Sequence, residues 1–350
     1  MKKFIFLTLS LLAINLIAAP AAPVTQNGAQ TSSGDFSEIL AQILMDEGED
    51  AVKEKALAEA NKALLSKDFW LKKIANLDTK FGYYEGKRRI FAVDKTAKVF
   101  YYYDYDGAKL IKRGEYKATM GDAVGDKLKE GDNKTPVGAY EITSTLEQGK
   151  NLFDPYYGPL AYTSNYPNIL DKSRKKTGGG IWVHGFPLNN GKRESENTKG
   201  CVAIDNDALL TINKDLDGKR IELLINEQGV LEAGKDDLAA VLTFLFKWRM
   251  TWKNNQIDDY LALYSQNFTR NDGANKEMFA KLKRQIFGKG ERKAIFFSDI
   301  EIVPYPNSLG ETIFKVGFKQ DYRAASHTSK RDKEIYVQKS GDHFQIILEN

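Results

Sequence analysis

Cysteine is almost absent: Cys201 is the only one in 350 residues. A lone thiol cannot close an internal disulfide, so it is either buried and inert or kept for chemistry. Histidine is nearly as scarce, with three, and proline stands at 9 against 28 glycines. An excess of either charge is also missing. Lys and Arg total 51 and Asp and Glu 47, spread along the chain for a net +4, which gives no basic stripe of the kind nucleic acid needs. Long apolar runs are missing after the first twenty residues, which excludes a later helical membrane span.

What is present is the composition of a folded protein, 42% hydrophobic and 28% charged, long enough for two or three domains. A basic start at Met1, Lys2 and Lys3 precedes an apolar run to Ala19 and the small residues Ala19, Pro20 and Ala21. This is the layout of a signal peptide over residues 1–21, with cleavage after Ala21. The mature protein is expected to be soluble and outside the cytoplasm, in the periplasm. Residues 22–76 read as a flexible leader followed by helices rich in Ala, Glu, Lys and Leu. Those helices either pack on a neighbouring domain or pair two copies of the chain. From residue 77 to 229 the period becomes that of strands, as at Ile90–Val93, Val99–Tyr103 and Ile221–Ile225, and predicts a mostly antiparallel β domain. Residues 235–350 form a third region. Leu238, Val241, Leu242, Leu245, Trp248 and Trp252 make a helical apolar stripe over residues 235–253, a second helix spans 257–264, and strand-like runs follow at 294–303, 312–319, 334–338 and 344–348. The fold class is multidomain α+β.

The chemistry-bearing residues gather around the cysteine. An apolar strand ends at His184-Gly185, and seventeen positions after the histidine comes Cys201, preceded by Thr198, Lys199 and Gly200. Attack on an amide carbonyl needs a thiolate, a base to generate it and donors for the oxyanion. A neighbouring imidazolium lowers the thiol pKa, and a glycine before the nucleophile lets the backbone turn its amides toward an incoming carbonyl. A buried cysteine beside a histidine with satisfied hydrogen bonds is the other reading of these residues, and spacing alone does not separate the two.

The motifs together do. His184-Gly185, a loop, then Thr198-x-Gly200-Cys201 resembles the signature of the L,D-transpeptidase catalytic domain, the YkuD type. The stretch Thr135-Pro136-x-Gly138-x-Tyr140, Gly121-Asp122 upstream, and Tyr156 to Leu160 are similar to other segments of that family. The resemblance covers roughly residues 81–226. It implies a β-rich catalytic fold with Cys201 as nucleophile and His184 as base, oriented by the carbonyl of Gly185, with the amides of Gly200 and Cys201 as the oxyanion hole. It implies no metal and no organic cofactor. The substrate would be a peptidoglycan stem peptide, cut between an L-centre and the terminal D-alanine. One position departs: the family has Arg two residues after the cysteine, and here stands Ala203.

Residues 235–350 resemble an NTF2-like domain, in which a sheet wraps a helix and leaves a conical pocket. This domain order is similar to that of the periplasmic L,D-carboxypeptidases of helical ε-proteobacteria, which trim tetrapeptide stems to tripeptides and influence cell shape. Trimming is therefore the leading expectation, cross-linking or D-amino-acid exchange the second, and a non-catalytic wall-binding protein a third from another class. Tyr157, Tyr162 and Trp182 are candidates for the cleft wall, and Lys134, Arg174 and Lys199 for the substrate's carboxylate. His327 and His343 are expected to be dispensable. A homodimer through the N-terminal helices is a further expectation, and nucleic acid is not an expected partner.

Overall fold

A computed structural model describes residues 51–188, 197–216, 218 and 220–350. The expected signal peptide, the leader and the first helical residues lie outside these described residues. Among the described residues no helix is long and apolar enough to cross a membrane.

Two helices open the described chain, α1 (Ala51–Leu64) and α2 (Lys67–Ile74). Ser66 caps α2 by accepting the Phe69 amide at 3.3 Å, and Trp70 and Ile74, one turn apart, bury the same face. That face packs on α5 (Lys235–Lys253), with Trp70 stacked on Phe246 at 5.2 Å. The N-terminal helices thus join the last domain in the sequence, not the one that follows them.

The strands form two sheets. The first has eight, in the order β4 (Leu110–Lys117), β3 (Val99–Tyr105), β2 (Arg88–Asp94), β9 (Ile221–Asn226), β5 (Gly138–Glu147), β6 (Leu160–Ser164), β7 (Trp182–His184) and β8 (Val202–Ala203). Pairing is antiparallel except at β2–β9 and β7–β8. The second has six: β1 (Tyr83–Tyr84), β11 (Lys293–Pro304), β12 (Thr312–Ala324), β13 (His327–Ser340), β14 (His343–Glu349) and β10 (Tyr264–Arg270). It wraps α5, whose expected stripe of Leu238, Val241, Leu242, Leu245, Trp248 and Trp252 is buried throughout. Thus β1, which lies in the stretch expected to begin the catalytic domain, instead extends the second sheet, pairing Tyr83 with Ile302.

The two sheets share a core. Alternation along β2 sends Phe91 and Val93 to the catalytic core and Ile90 and Ala92 to a second one, where they meet Val303, Ile313 and Tyr336 of the other sheet. β2 is accordingly buried along its whole length. Periodicity did not single out α3 (Ile169–Ser173), α4 (Asn206–Asp215), β10 or α7 (Lys276–Gly288), and α6 (Ile257–Ala262) stops two residues short because Tyr264 already belongs to β10.

Candidate active site

The site lies at the β7–β8 end of the first sheet. Val183 and Val202 are register partners, fully buried in the core, so alternation turns their neighbours Trp182 and His184 to the opposite face. Tyr157, on the turn before β6, confirms this: its ring lies 4.8 Å from that of Trp182 and 5.1 Å from that of His184. Cys201, next to core-facing Val202, is turned by the same alternation to the face of Trp182 and His184. Burial raises the Tyr157 phenol pKa, and the charge of Cys201 adds to the rise. Cys201 is half-buried, and its Sγ donates to Gly180 O at 3.2 Å.

His184 is buried, and its Nδ1 lies 2.7 Å from Gly185 O. A carbonyl only accepts, so in the neutral ring Nδ1 carries the proton and Nε2 the lone pair. This is the tautomer a base needs.

The nucleophile turn is shaped by its neighbours. Gly200 has φ +132°, and a Cβ there would lie 2.7 Å from Lys134 O, so both backbone and space require glycine. Thr198 Oγ1 donates to Cys201 O at 2.7 Å and accepts the Gly200 amide at 3.1 Å. The Gly200 amide, expected in the oxyanion hole, is therefore engaged inside the turn, and glycine's contribution here is the shape of the backbone. Thr135 Oγ1 accepts the Gly121 amide at 3.0 Å, and Gly121 bridges Thr198. The Thr-Pro stretch is thus a strap behind the nucleophile turn.

Not every expected site residue comes together. Tyr157 and half-buried Trp182 line the cleft with His184 and Cys201. Lys199 is exposed beside Gly200, and Lys134 is half-buried with its carbonyl against that glycine. Tyr162 does not line the cleft: it is wholly buried, packs on Phe91 and bonds Asn213 Oδ1, because it is paired with core-facing Val183. Nor is Arg174 turned to the site, since it forms an ion pair with Glu311 of the second domain. His327 and His343 start β13 and β14, in the other sheet. Residues not foreseen are Tyr156, whose ring is 6.4 Å from that of His184, and Gly180, which accepts from the thiol. The run of three glycines ending at Gly180 was the available signal for a close approach there.

Ala203 stands opposite His184 in the β7–β8 register and has no exposed surface. Its amide and carbonyl both bond Thr119, each at 2.8 Å.

Two other features offer binding chemistry. Among the described residues, the carboxylates of Glu141, Glu222 and Glu301 are close enough to hold a cation, but Lys315 Nζ already lies 2.7 Å from Glu222 and 3.2 Å from Glu141. In the second domain a cavity of about 470 Å³ is lined by Trp252, Lys283, Tyr322, Arg331 and Glu349. Burial lowers the Lys283 pKa to about 8, and its Nζ lies 4.8 Å from the centre of the Trp252 ring.

Comparison with known proteins agrees with this architecture. The family model of the L,D-transpeptidase catalytic domain (YkuD) matches residues 88–222, and that of the Cds6 C-terminal NTF2-like domain matches residues 240–350. The helical cell shape determining protein Pgp2 from Campylobacter jejuni is 38% identical with a TM-score of 0.76, over 82% of this chain and 100% of that one. A point mutant of Pgp2 matches at the same identity with a TM-score of 0.77, over 82% and 99% of the two chains. Bd1075 from Bdellovibrio bacteriovorus is 29% identical with a TM-score of 0.62, over 78% of this chain and 96% of that one. Among curated proteins none matches. With this catalytic fold, the His184–Cys201 cleft and an extended likeness to Pgp2, the chain belongs to the L,D-transpeptidase (YkuD) family, in a form that carries a C-terminal NTF2-like domain.

Proposed function

We propose that the protein is a periplasmic peptidoglycan L,D-carboxypeptidase that removes the terminal D-alanine from tetrapeptide stems and thereby influences cell shape. The observation that carries this reading is the fixed imidazole: Nδ1 held by Gly185 O leaves Nε2 to take a proton on the sheet face that Cys201 shares. Cys201 gives its proton to Nε2, and the thiolate attacks the carbonyl on the L-side of the terminal D-alanine. The Cys201 amide is the proposed donor to the oxyanion. Collapse breaks the C–N bond, the imidazolium protonates the departing amine, and a thioester remains. Water, deprotonated by the same Nε2, then releases the tripeptide and restores the thiol.

Water rather than an amine as second substrate is favoured by two observations. Ala203 replaces the family's arginine opposite the base, and the chain is similar along most of its length to a cell-shape determinant. Lys199 and Lys134, near the nucleophile turn, are the proposed partners of the stem's terminal carboxylate. Residues 1–21 are the proposed export signal, and a homodimer through the N-terminal helices is proposed, to be read by sedimentation with and without them.

The test is a product assay on the mature protein with purified tetrapeptide muropeptides, read by mass spectrometry beside Cys201→Ala. Tripeptide and free D-alanine, absent with the variant, are expected. Cross-linked or exchanged products would make it a transpeptidase, and unchanged muropeptides would move the weight to a wall-binding protein that uses the second domain's cavity.

A further inference from the structure

His184 is oriented by a carbonyl, and the structure shows what orients that carbonyl. Gly185 O belongs to the peptide unit that also contains the Phe186 amide. A peptide unit is planar and trans, so fixing the direction of its N–H fixes its C=O in the opposite direction. The Phe186 N–H donates to Asn206 Oδ1 at 2.7 Å, and Asn206 Nδ2 donates to Phe186 O at 3.1 Å. The carboxamide therefore pairs with Phe186 as the backbone of a neighbouring strand would. Among side chains, only a primary amide presents an acceptor and a donor in this way. The fit is tight: a Cβ on Gly185 would lie 2.1 Å from Asn206 Oδ1, so the family glycine after the histidine is also the space the clamp occupies.

Asn206 is itself held in place. It is the first residue of α4, whose N-terminus is capped by Asp205 Oδ1 accepting the Asp207 and Ala208 amides at 3.0 and 3.1 Å. Just before it, the Ile204 amide donates to His184 O at 3.0 Å. One short segment thus carries both the nucleophile and the clamp on the base's loop.

We infer that Asn206 is a positioning residue for the reaction: it holds the Gly185–Phe186 peptide so that Gly185 O keeps His184 protonated at Nδ1 and basic at Nε2. The inference rests on the assignment of Cys201 and His184 as nucleophile and base.

The experiment uses the full mature chain and two readouts. One is the rate of Cys201 alkylation by iodoacetamide between about pH 5 and 9.5, possible because no other thiol is present. The other is kcat and KM for D-alanine release from tetrapeptide muropeptides. Asn206→Ala is expected to move the alkylation inflection toward the free-thiol value of about 8.5. It should also lower kcat about 10- to 100-fold with little change in KM. Asn206→Asp is nearly isosteric, keeps the acceptor and loses the donor, and is expected to fall between; it carries the test should the alanine variant not fold. Asp205→Ala removes the helix cap without touching Phe186, and is expected to lower thermal stability while leaving both readouts as in the wild type.

Wild-type behaviour of both Asn206 variants would overturn the inference. An Asp205→Ala defect equal to that of Asn206→Ala would do the same, since the asparagine would then act only by anchoring α4. His184→Ala separates this from the parent reading. If that variant leaves the alkylation profile unchanged, the base assignment fails and the inference with it. If it changes the profile and the Asn206 variants do not, only the inference fails.

Discussion

At position 203, two residues after the nucleophile, the family's arginine is replaced by an alanine that is fully buried and bonded on both backbone groups to Thr119. With no exposed surface at Ala203, a long cationic side chain must displace its neighbours to fit. Ala203→Arg is therefore expected to cost about 1–3 kcal/mol in overpacking alone, and more from the buried charge. Urea denaturation checks this, and an unchanged midpoint would show that the pocket opens to admit the side chain. The two tyrosines near the motif should also behave differently when truncated. Tyr162→Ala removes a wholly buried ring packed on Phe91 and is expected to cost roughly 3–5 kcal/mol, as large aromatic deletions do. Tyr157→Ala, half-buried against Trp182 and His184, should fold with a much smaller loss and reduce turnover instead. Equal stability losses for the two would contradict the placement of Tyr162.

At the scale of an element, the loop behind the nucleophile turn is organised by Asp132. Its carboxylate accepts the Leu128, Lys129 and Lys134 amides and the Lys127 ammonium. Burial alone would raise its pKa, but these donors outweigh it and hold the group well below the usual carboxylate range. A lowered folded-state pKa means stability that is present above the unfolded value and lost as pH falls through the folded one. Asp132→Ala should thus lower the melting temperature at pH 7 and flatten its fall in acid. Glu85, at the β1–β11 seam, has the opposite sign. Burial raises its pKa to about 7, although the Ile300 amide donates to it at 2.9 Å. The folded state then binds the proton more tightly, so its contribution is present below about pH 4.5 and is lost as pH rises toward 7. Glu85→Gln should remove that part of the decline, and parallel melting curves against pH for variant and wild type would refute the assignment.

For the whole molecule the decisive feature is that two sheets of different domains share a core and a buried ionic network. Lys315 of β12 reaches Glu222 and Glu141 of the catalytic sheet, and Arg88 of β2 reaches Glu301 of β11 at 2.9 Å. Lys315 and Glu222 are almost fully buried, so removing one partner strands a charge in the interior. Lys315→Met is expected to destabilise the protein by about 3–5 kcal/mol. Lys315→Met with Glu222→Gln should cost less than the two single changes together. Calorimetry of the wild type should show one cooperative transition, with the single variant tending toward two. Strict additivity would mean that the two groups do not interact.

The sequence already contained the strands and helices with a strong period, the α5 stripe, and the pair His184 and Cys201, because local periodicity and motif spacing are properties of short stretches. Short elements such as α3 and β10 did not announce themselves, since their boundaries depend on partners far along the chain; α4 and α7, each capped by a side chain, did carry a local signal. Dependence on distant partners also separates Tyr157 from Tyr162: both are aromatic and near the motif, but the pairing of β6 with β7 turns Tyr162 into the core, while the turn before β6 sets Tyr157 against Trp182 and His184. Arg174 went to Glu311, and β1 to the second sheet, because the two domains pack together, which no local pattern encodes. The sequence by itself determined the chemistry available, one thiol and one imidazole in a glycine-flanked frame. Tertiary structure decided which imidazole nitrogen is basic and what holds it so. Those depend on hydrogen bonds that form only when residues some twenty positions apart, Phe186 and Asn206, are brought face to face.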